Sequence, residues 1–324
     1  MIYLTGALCC SALIAIAMRF GEGRIKNNIS VLAVNYSICL LLSVIYTITD
    51  SAPDAAISNA ASAFIVHSAE GSKTLLMGLV NGFFYVASLV LYQYNIRKNG
   101  VTLPATFMKL GVLVPTLLAI TAFGERPDMM QTAGIILAVA AILLLNLKSK
   151  VSNTEPKLSR VGNLTREQIK NSEGGGYDDS LSDESDTVTA PKALIALLLI
   201  GGSGDAMSKI YEELGSSELN SHFLLYTFFS AIILCTLTAV MKRQRLTRGD
   251  VLFGCLIGIP NYYSARFLLL SLSYVPAVIA YPTYSTGTII LVSTAGVLLF
   301  REKMTERQRI AVLMILAALI LLNL

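Results

Sequence analysis

One run of residues recurs, and it constrains the fold more than any other feature of the chain. Phe123–Leu147 reads FGERPDMMQTAGIILAVAAILLLNL and Phe300–Leu324 reads FREKMTERQRIAVLMILAALILLNL; nine of the 25 positions are identical without a gap. Each copy is a charged turn followed by an apolar run too long for most soluble cores. Internal repetition sets the number of structural units, so it is traced through the chain before fold is argued.

A helix that crosses a bilayer needs about 20 mostly apolar residues. Ten segments fit that description: roughly Ile2–Met18, Ser30–Ile48, Thr74–Tyr94, Val101–Phe123, Met129–Leu147, Ala193–Ile210, His222–Met241, Val251–Tyr274, Ala277–Phe300 and Arg309–Leu324. The sixth carries Asp205 and the tenth is short. Of the 324 residues 54% are hydrophobic and 14% charged, whereas a soluble domain carries about 25% charge. Backbone polar groups in lipid must be satisfied within the segment, so all ten are predicted to be helices. The predicted class is therefore an all-α integral membrane protein. The first segment is not read as a signal peptide, because no Lys or Arg precedes it and no small-residue cleavage site follows. The five cysteines (Cys9, Cys10, Cys39, Cys235, Cys255) lie within apolar segments and form no CxxC pair, so they read as small buried side chains.

The connections alternate in charge. Lys and Arg cluster after the odd-numbered segments: Arg19, Arg24 and Lys26; Arg97 and Lys98; seven between Lys148 and Lys192; Lys242, Arg243, Arg245 and Arg248; Arg301, Lys303, Arg307 and Arg309. The other connections hold only Lys73, Arg126 and Lys209. The positive-inside rule then places every odd segment's exit in the cytoplasm and both termini outside, in a multi-pass cell membrane protein. A net charge of +4 held in short loops gives no argument for nucleic acid.

An offset of 177 residues carries Tyr85 onto Tyr262, one indel aligns Pro104 with Pro282, and an offset of 190 carries Arg19, Glu22 and Tyr36 onto Lys209, Glu212 and Tyr226. The longer Asp50–Lys73 loop accounts for the change of offset. The chain thus divides into five segments in residues 1–147, a linker at 148–191 and five segments in 192–324. Five is odd, so the second half must enter the membrane upside down. Aligned loops carry 3 versus 1, 1 versus 4, 2 versus 0 and 1 versus 4 Lys/Arg, the inversion this requires. Inverted repeats are a common plan of secondary transporters, whose site lies near midplane between the repeats. The linker, with SEGGGYDDSLSDESDT, is acidic and poor in large apolar residues; it reads as a disordered cytoplasmic tether, with a regulatory role as the alternative.

Two stretches, NGFFYVASLVLYQYNIRKNGV…FGERPDMMQTAGIILAVAAILLLNL and IPNYYSARFLLLSLSYVPAVIAYPTYSTGTII…FREKMTERQRIAVLMILAALILLNL, resemble the EamA-like repeat of the drug/metabolite transporter superfamily. The shared marks are the Gly124-Glu125 turn and the small-residue-rich helix ending in leucines. The second copy has Arg301-Glu302 in place of Gly-Glu, and the linker is unusually long. The resemblance implies ten helices around a central cavity lined mainly by the third, fourth, eighth and ninth, helped by the first and sixth, with the fifth and tenth peripheral. It implies transport but names no cargo. Descriptions of that family often place both termini in the cytoplasm, which conflicts with the loop charges here.

Charge within a span is costly, about 3 kcal/mol for a centred Lys or Arg, so it faces a cavity or a partner. Lys109, Asp205 and Arg266 stand out. They are read either as a cationic cavity for a carboxylate or phosphate, or as an Asp205–Arg266 bridge beside a snorkelling Lys109. Asn81, Tyr85, Ser88 and Tyr92 make one polar stripe on the third segment. Gly258, Tyr262 and Arg266, with neighbouring Asn261, mark the eighth, and Tyr281, Tyr284 and Thr288 the ninth. These could line a pocket, or act as hydrogen-bonding glue between helices. Pro104, Pro115, Pro260 and Pro282 fall within the same segments as hinges or ordinary kinks.

His67 and His222 sit near extracellular ends, and no metal cluster, nucleophile elbow or phosphate loop is present, so no cofactor and no enzyme chemistry is expected. The sequence reading is a secondary transporter, exporter or exchanger, of a small polar or anionic metabolite by alternating access. Its candidate binding residues are Lys109, Arg266, Tyr85, Tyr262, Tyr281, Tyr284, Asn81, Asn261 and Asp205. The alternatives are a membrane-embedded enzyme acting on lipid-linked substrates and a non-transporting receptor or assembly partner.

Overall fold

The computed structural model describes residues 1–21, 28–50, 66, 68–99, 102–146, 191–241, 246–300 and 306–323. Among these residues every regular element is helical: α1 (Ile2–Gly21), α2 (Asn28–Asp50), α3 (Ala69–Asn99), α4 (Thr102–Leu110), α5 (Leu113–Thr121), α6 (Met129–Asn146), α7 (Pro191–Leu214), a 3-10 turn at Ser217–Leu219, α8 (Asn220–Met241), α9 (Arg248–Leu272), α10 (Ala277–Phe300) and α11 (Glu306–Asn323). Five stretches among them are long and apolar enough to cross a membrane: Ile29–Thr49, Ala69–Tyr92, Lys192–Leu214, Ser217–Met241 and Ala277–Leu299. Ile2–Met18, Phe107–Thr121 and Met129–Leu144 are shorter apolar helices. Leu76, Ile136, Leu252, Leu298 and Leu313 are 64 to 72% exposed on five different helices, a surface that suits lipid better than water.

Several helix ends differ from the sequence reading, and their caps explain why. Helix α3 begins inside the expected loop, because the Ser68 hydroxyl accepts from the Gly71 amide at 2.9 Å and caps its first turn. Helix α9 begins at Arg248 on a capping box: Asp250 N donates to Thr247 Oγ1 at 3.3 Å and Thr247 N to Asp250 Oδ2 at 3.0 Å. The fourth expected span is two helices, broken at Gly111–Val112. His67, the Arg301-Glu302 pair and the proposed tether, up to the start of α7 at Pro191, lie outside the described residues.

The helices pack as a series of pairs. At one flank α2 meets α8; α2 also packs on α9, and α8 on α3. At the other flank α6 meets α11, which also touches α10. Between the flanks α1 packs on α9 and α10, and α7 on α3, α4 and α5, while α5 meets α10. The α3–α8 and α9–α2 seams rest on glycine pairs spaced four apart. A β-carbon at Gly78 would stand 2.6 Å from Tyr226 Cβ, and one at Gly82 would run into the Thr227 carbonyl. On α9, a β-carbon at Gly254 would stand 2.9 Å from the Val31 carbonyl oxygen, and one at Gly258 3.0 Å from that of Asn35. Helices gain little hydrophobic drive from each other in lipid, so close backbone approach at small residues supplies the contact.

Candidate functional site

The site grows from the break in the fourth span. Pro115 has no amide hydrogen for the Gly111 carbonyl, and Val114 N bonds that oxygen instead at 3.0 Å, a tighter turn than an α-helix makes. Lys109 stands in the last turn of α4, where the negative end of the helix dipole favours a cation. Against the break lies the α7 run Gly201-Gly202-Ser203-Gly204-Asp205. A β-carbon at Gly202 would strike the Gly111 carbonyl, nothing lies within 4 Å of one at Gly201, and the ring of Tyr85 stands 3.3 Å from one at Gly204. Three glycines thus admit, in turn, the break, an open space and an aromatic ring, and they bring Asp205 to the same place as Lys109.

Ser11 of α1, Met108, Lys109, Gly111 and Val112 of the break, Gly201 and Asp205 of α7, and Tyr284, Ser285 and Thr288 of α10 surround about 460 Å³ of open space. The Lys109 side chain is exposed and that of Asp205 partly so. Among the described residues neither makes a side-chain hydrogen bond, and neither forms an ion pair within 4.0 Å. The cavity therefore holds two charges of opposite sign that attract each other through space without touching. Around it, Tyr284 Oη shares a hydrogen bond of 3.0 Å with Ser264 Oγ, and Tyr281, fully buried, donates to the Asp205 carbonyl at 2.6 Å.

The remaining sequence candidates stand elsewhere. The Arg266 guanidinium lies 4.2 Å from the centroid of the Tyr46 ring and donates to Ser221 Oγ at 2.8 Å and Tyr262 Oη at 3.4 Å. It is absent from the cavity lining, and Asp205 forms no bridge to it. Tyr262 is fully buried and stacked on Tyr46 at 5.6 Å. Asn261 donates to Asn35 Oδ1 at 3.2 Å across the α9–α2 seam, and Asn81 to Thr227 Oγ1 at 3.3 Å across α3–α8. Tyr85 meets Phe228 edge-on at 6.3 Å. Of the nine candidates, Lys109, Asp205 and Tyr284 line the cavity, Tyr281 and Tyr85 adjoin its α7 wall, and the other four sit in the seams between helices. The lining belongs to the first, fourth, sixth and ninth spans; the third and eighth, expected as main walls, contribute none of these residues.

One helical turn beyond Asp205 on α7 lies an ion cluster whose residues sequence reasoning had not joined. Gly124, at φ 69°, turns the chain out of α5 through a conformation that favours glycine. Glu125 then accepts from Ala277 N at 3.0 Å and Val278 N at 2.9 Å, capping α10 with a full charge. The same carboxylate meets Lys209 Nζ at 2.9 Å, and Lys209 also holds Glu212 at 2.9 Å and Glu213 at 2.6 Å. Lys209 is 3% exposed. It lies four residues beyond Asp205 on α7, about 6 Å at 1.5 Å per residue. A lysine at i with acids at i+3 and i+4 is a visible signal; what it lacks in sequence is the distant Glu125.

No family model and no curated protein matches this chain. A solved structure described only as "Crystal structure of protein" is similar over 99% of this chain and 96% of that one, with a TM-score of 0.68 and 12% sequence identity. At that identity the likeness is one of fold.

Proposed function

We propose that the chain is a secondary transporter of a small polar or anionic metabolite, built as two inverted five-span halves of the EamA-like kind around this cavity. The observation that carries the reading is Lys109 and Asp205, of opposite sign and not in contact, lining one cavity among apolar helices. Ionisable groups in such a place are expensive to hold and are kept for a ligand or ion. A broken helix beside them is the form that transporter sites take near the midplane.

The packing supports the inverted halves. Let α4 and α5 count together as the fourth span, and exchange each span with the one five places on. The pair α1–α9 becomes α7–α3, α3–α8 becomes α9–α2, and α1–α10 becomes α7 with α4 and α5, all observed contacts. The pairs α2–α8, α6–α11 and α5–α10 map onto themselves. The two glycine seams fall on exchanged interfaces. With termini outside, as the loop charges suggest, the Glu125 end faces outward and the cavity opens to the cytoplasm. Counterflow into proteoliposomes across a panel of amino acids, carboxylates, nucleotides and sugar phosphates tests the reading. Saturable flux of at least one solute is expected; its absence across the panel would overturn transport.

A further inference from the structure

We propose that the ligand of this cavity is a small zwitterion, its anionic group at Lys109 and its cationic group at Asp205; the inference rests on the transporter reading and narrows it. A simple anion at Lys109 would leave the Asp205 carboxylate uncompensated and would be repelled by it. A simple cation would do the same to Lys109. The two side chains attract each other across the cavity but stand apart, with no contact within 4.0 Å, which leaves space between them for a ligand that touches both. A ligand bearing both signs satisfies both, and opposed charges across a site set the orientation in which it binds.

The surroundings fit that division. Gly111 and Val112, which line the Lys109 side, precede the first turn of α5, where the positive end of the helix dipole adds to the lysine. On the Asp205 side, Gly201 presents a bare backbone one turn away with nothing within 4 Å of its β-carbon position, leaving room for a cationic group. Ser11, Tyr284, Ser285 and Thr288 supply hydroxyls between. Of the cavity's open space about 110 Å³ is accessible to a small solute, which restricts the ligand to a small one.

The repeat sharpens the point. The 190-residue offset places Asp205 on Ala15, and the Pro104–Pro282 alignment places Lys109 on Gly287. The space a side chain would need at Gly287 is taken by Leu8, 2.9 Å from the β-carbon position. The charge pair therefore occurs once, on the α4–α7 wall, and has no duplicate on the α1–α10 wall. A two-fold cavity carrying a single dipole accepts a dipolar ligand in one orientation only.

The test is the thermal unfolding midpoint of the purified full chain in detergent against the common amino acids, glycine betaine, taurine and γ-aminobutyrate. The N-acetyl and amide derivatives of the best responder follow. At least one zwitterion is expected to raise the midpoint, while its derivatives, each lacking one charge, bind about 30-fold more weakly or worse. Asp205→Asn should accept the N-acetyl anion in place of the zwitterion, and Lys109→Gln the amide cation. No response to any zwitterion, or an equal response to a singly charged derivative, overturns the inference. Saturable flux of a plain anion would sink the zwitterion and leave transport standing; a zwitterion that binds but, like every other solute, is not carried would sink transport instead.

Discussion

Lys109 and Lys209 are both lysines in apolar helices, and their surroundings give them opposite work. Lys109 makes no close ion pair, and its one acidic neighbour, Asp205, acts on it through space across the cavity. Lys209 contacts three carboxylates, Glu125, Glu212 and Glu213, while itself only 4% exposed in its side chain. Lys209→Gln leaves those carboxylates facing each other and should cost about 3–5 kcal/mol, the scale for breaking a buried pair. Glu213→Gln, at a side chain 37% exposed, should cost under about 1 kcal/mol. Thermal or denaturant unfolding checks the order; equal losses would mean the cluster is not a unit. The sequence marks Lys109, Asp205 and Arg266 equally, as charges in apolar runs. It cannot separate them, because what distinguishes Arg266 is a distant ring, Tyr46, and a distant hydroxyl, Ser221. Lys209 reads as a loop charge for the same reason: its decisive partner, Glu125, is 84 residues away by numbering.

At the scale of elements, the four prolines show how little a residue type says alone. Pro104 lies in the first turn of α4, where its missing amide costs nothing. Pro260 and Pro282 lie inside α9 and α10, which run on through them. Pro115 alone stands where the chain breaks, because Gly111 beside it is pressed against Gly202 of α7. The helices were legible from apolar length, and the caps at Ser68 and Thr247 account for the early starts of α3 and α9. The glycine seams were equally present in the sequence, as GLVNG and GCLIG, but only contact between helices shows which face each serves. Gly82→Ala pushes a methyl group into the Thr227 carbonyl and should destabilise the protein by about 1–3 kcal/mol. Gly201→Ala, at an open position, should be near neutral; the reverse order in unfolding measurements would refute the packing account.

For the whole molecule, the fold places the Glu125–Lys209 cluster and the cavity on the same two helices, α7 and α10. Tyr281 bonds the Asp205 carbonyl, and one turn further out Glu125 ties the start of α10 to Lys209. The proposed transport by alternating access would need this end to open, with Glu125 as the tie to release. Glu125→Gln weakens it by removing a charge while preserving a hydrogen-bonding oxygen. In a background lacking the native cysteines, Ala277→Cys, at a position now fully buried, should react faster with an impermeant thiol reagent once Glu125→Gln is added. An unchanged rate would mean that this end does not open by that route. The all-helical, apolar character was readable because lipid forces apolar length onto the sequence. The location of the cavity was not, because it depends on which helix pairs approach closely.

The most direct measurement is flux through proteoliposomes carrying the wild-type protein, Lys109→Gln or Asp205→Asn, alongside the unfolding midpoint of each. The account predicts saturable flux for the wild type and losses of about 30-fold or more in both variants, with unfolding midpoints unchanged, because neither side chain bonds to the fold. Wild-type flux in either variant would contradict it.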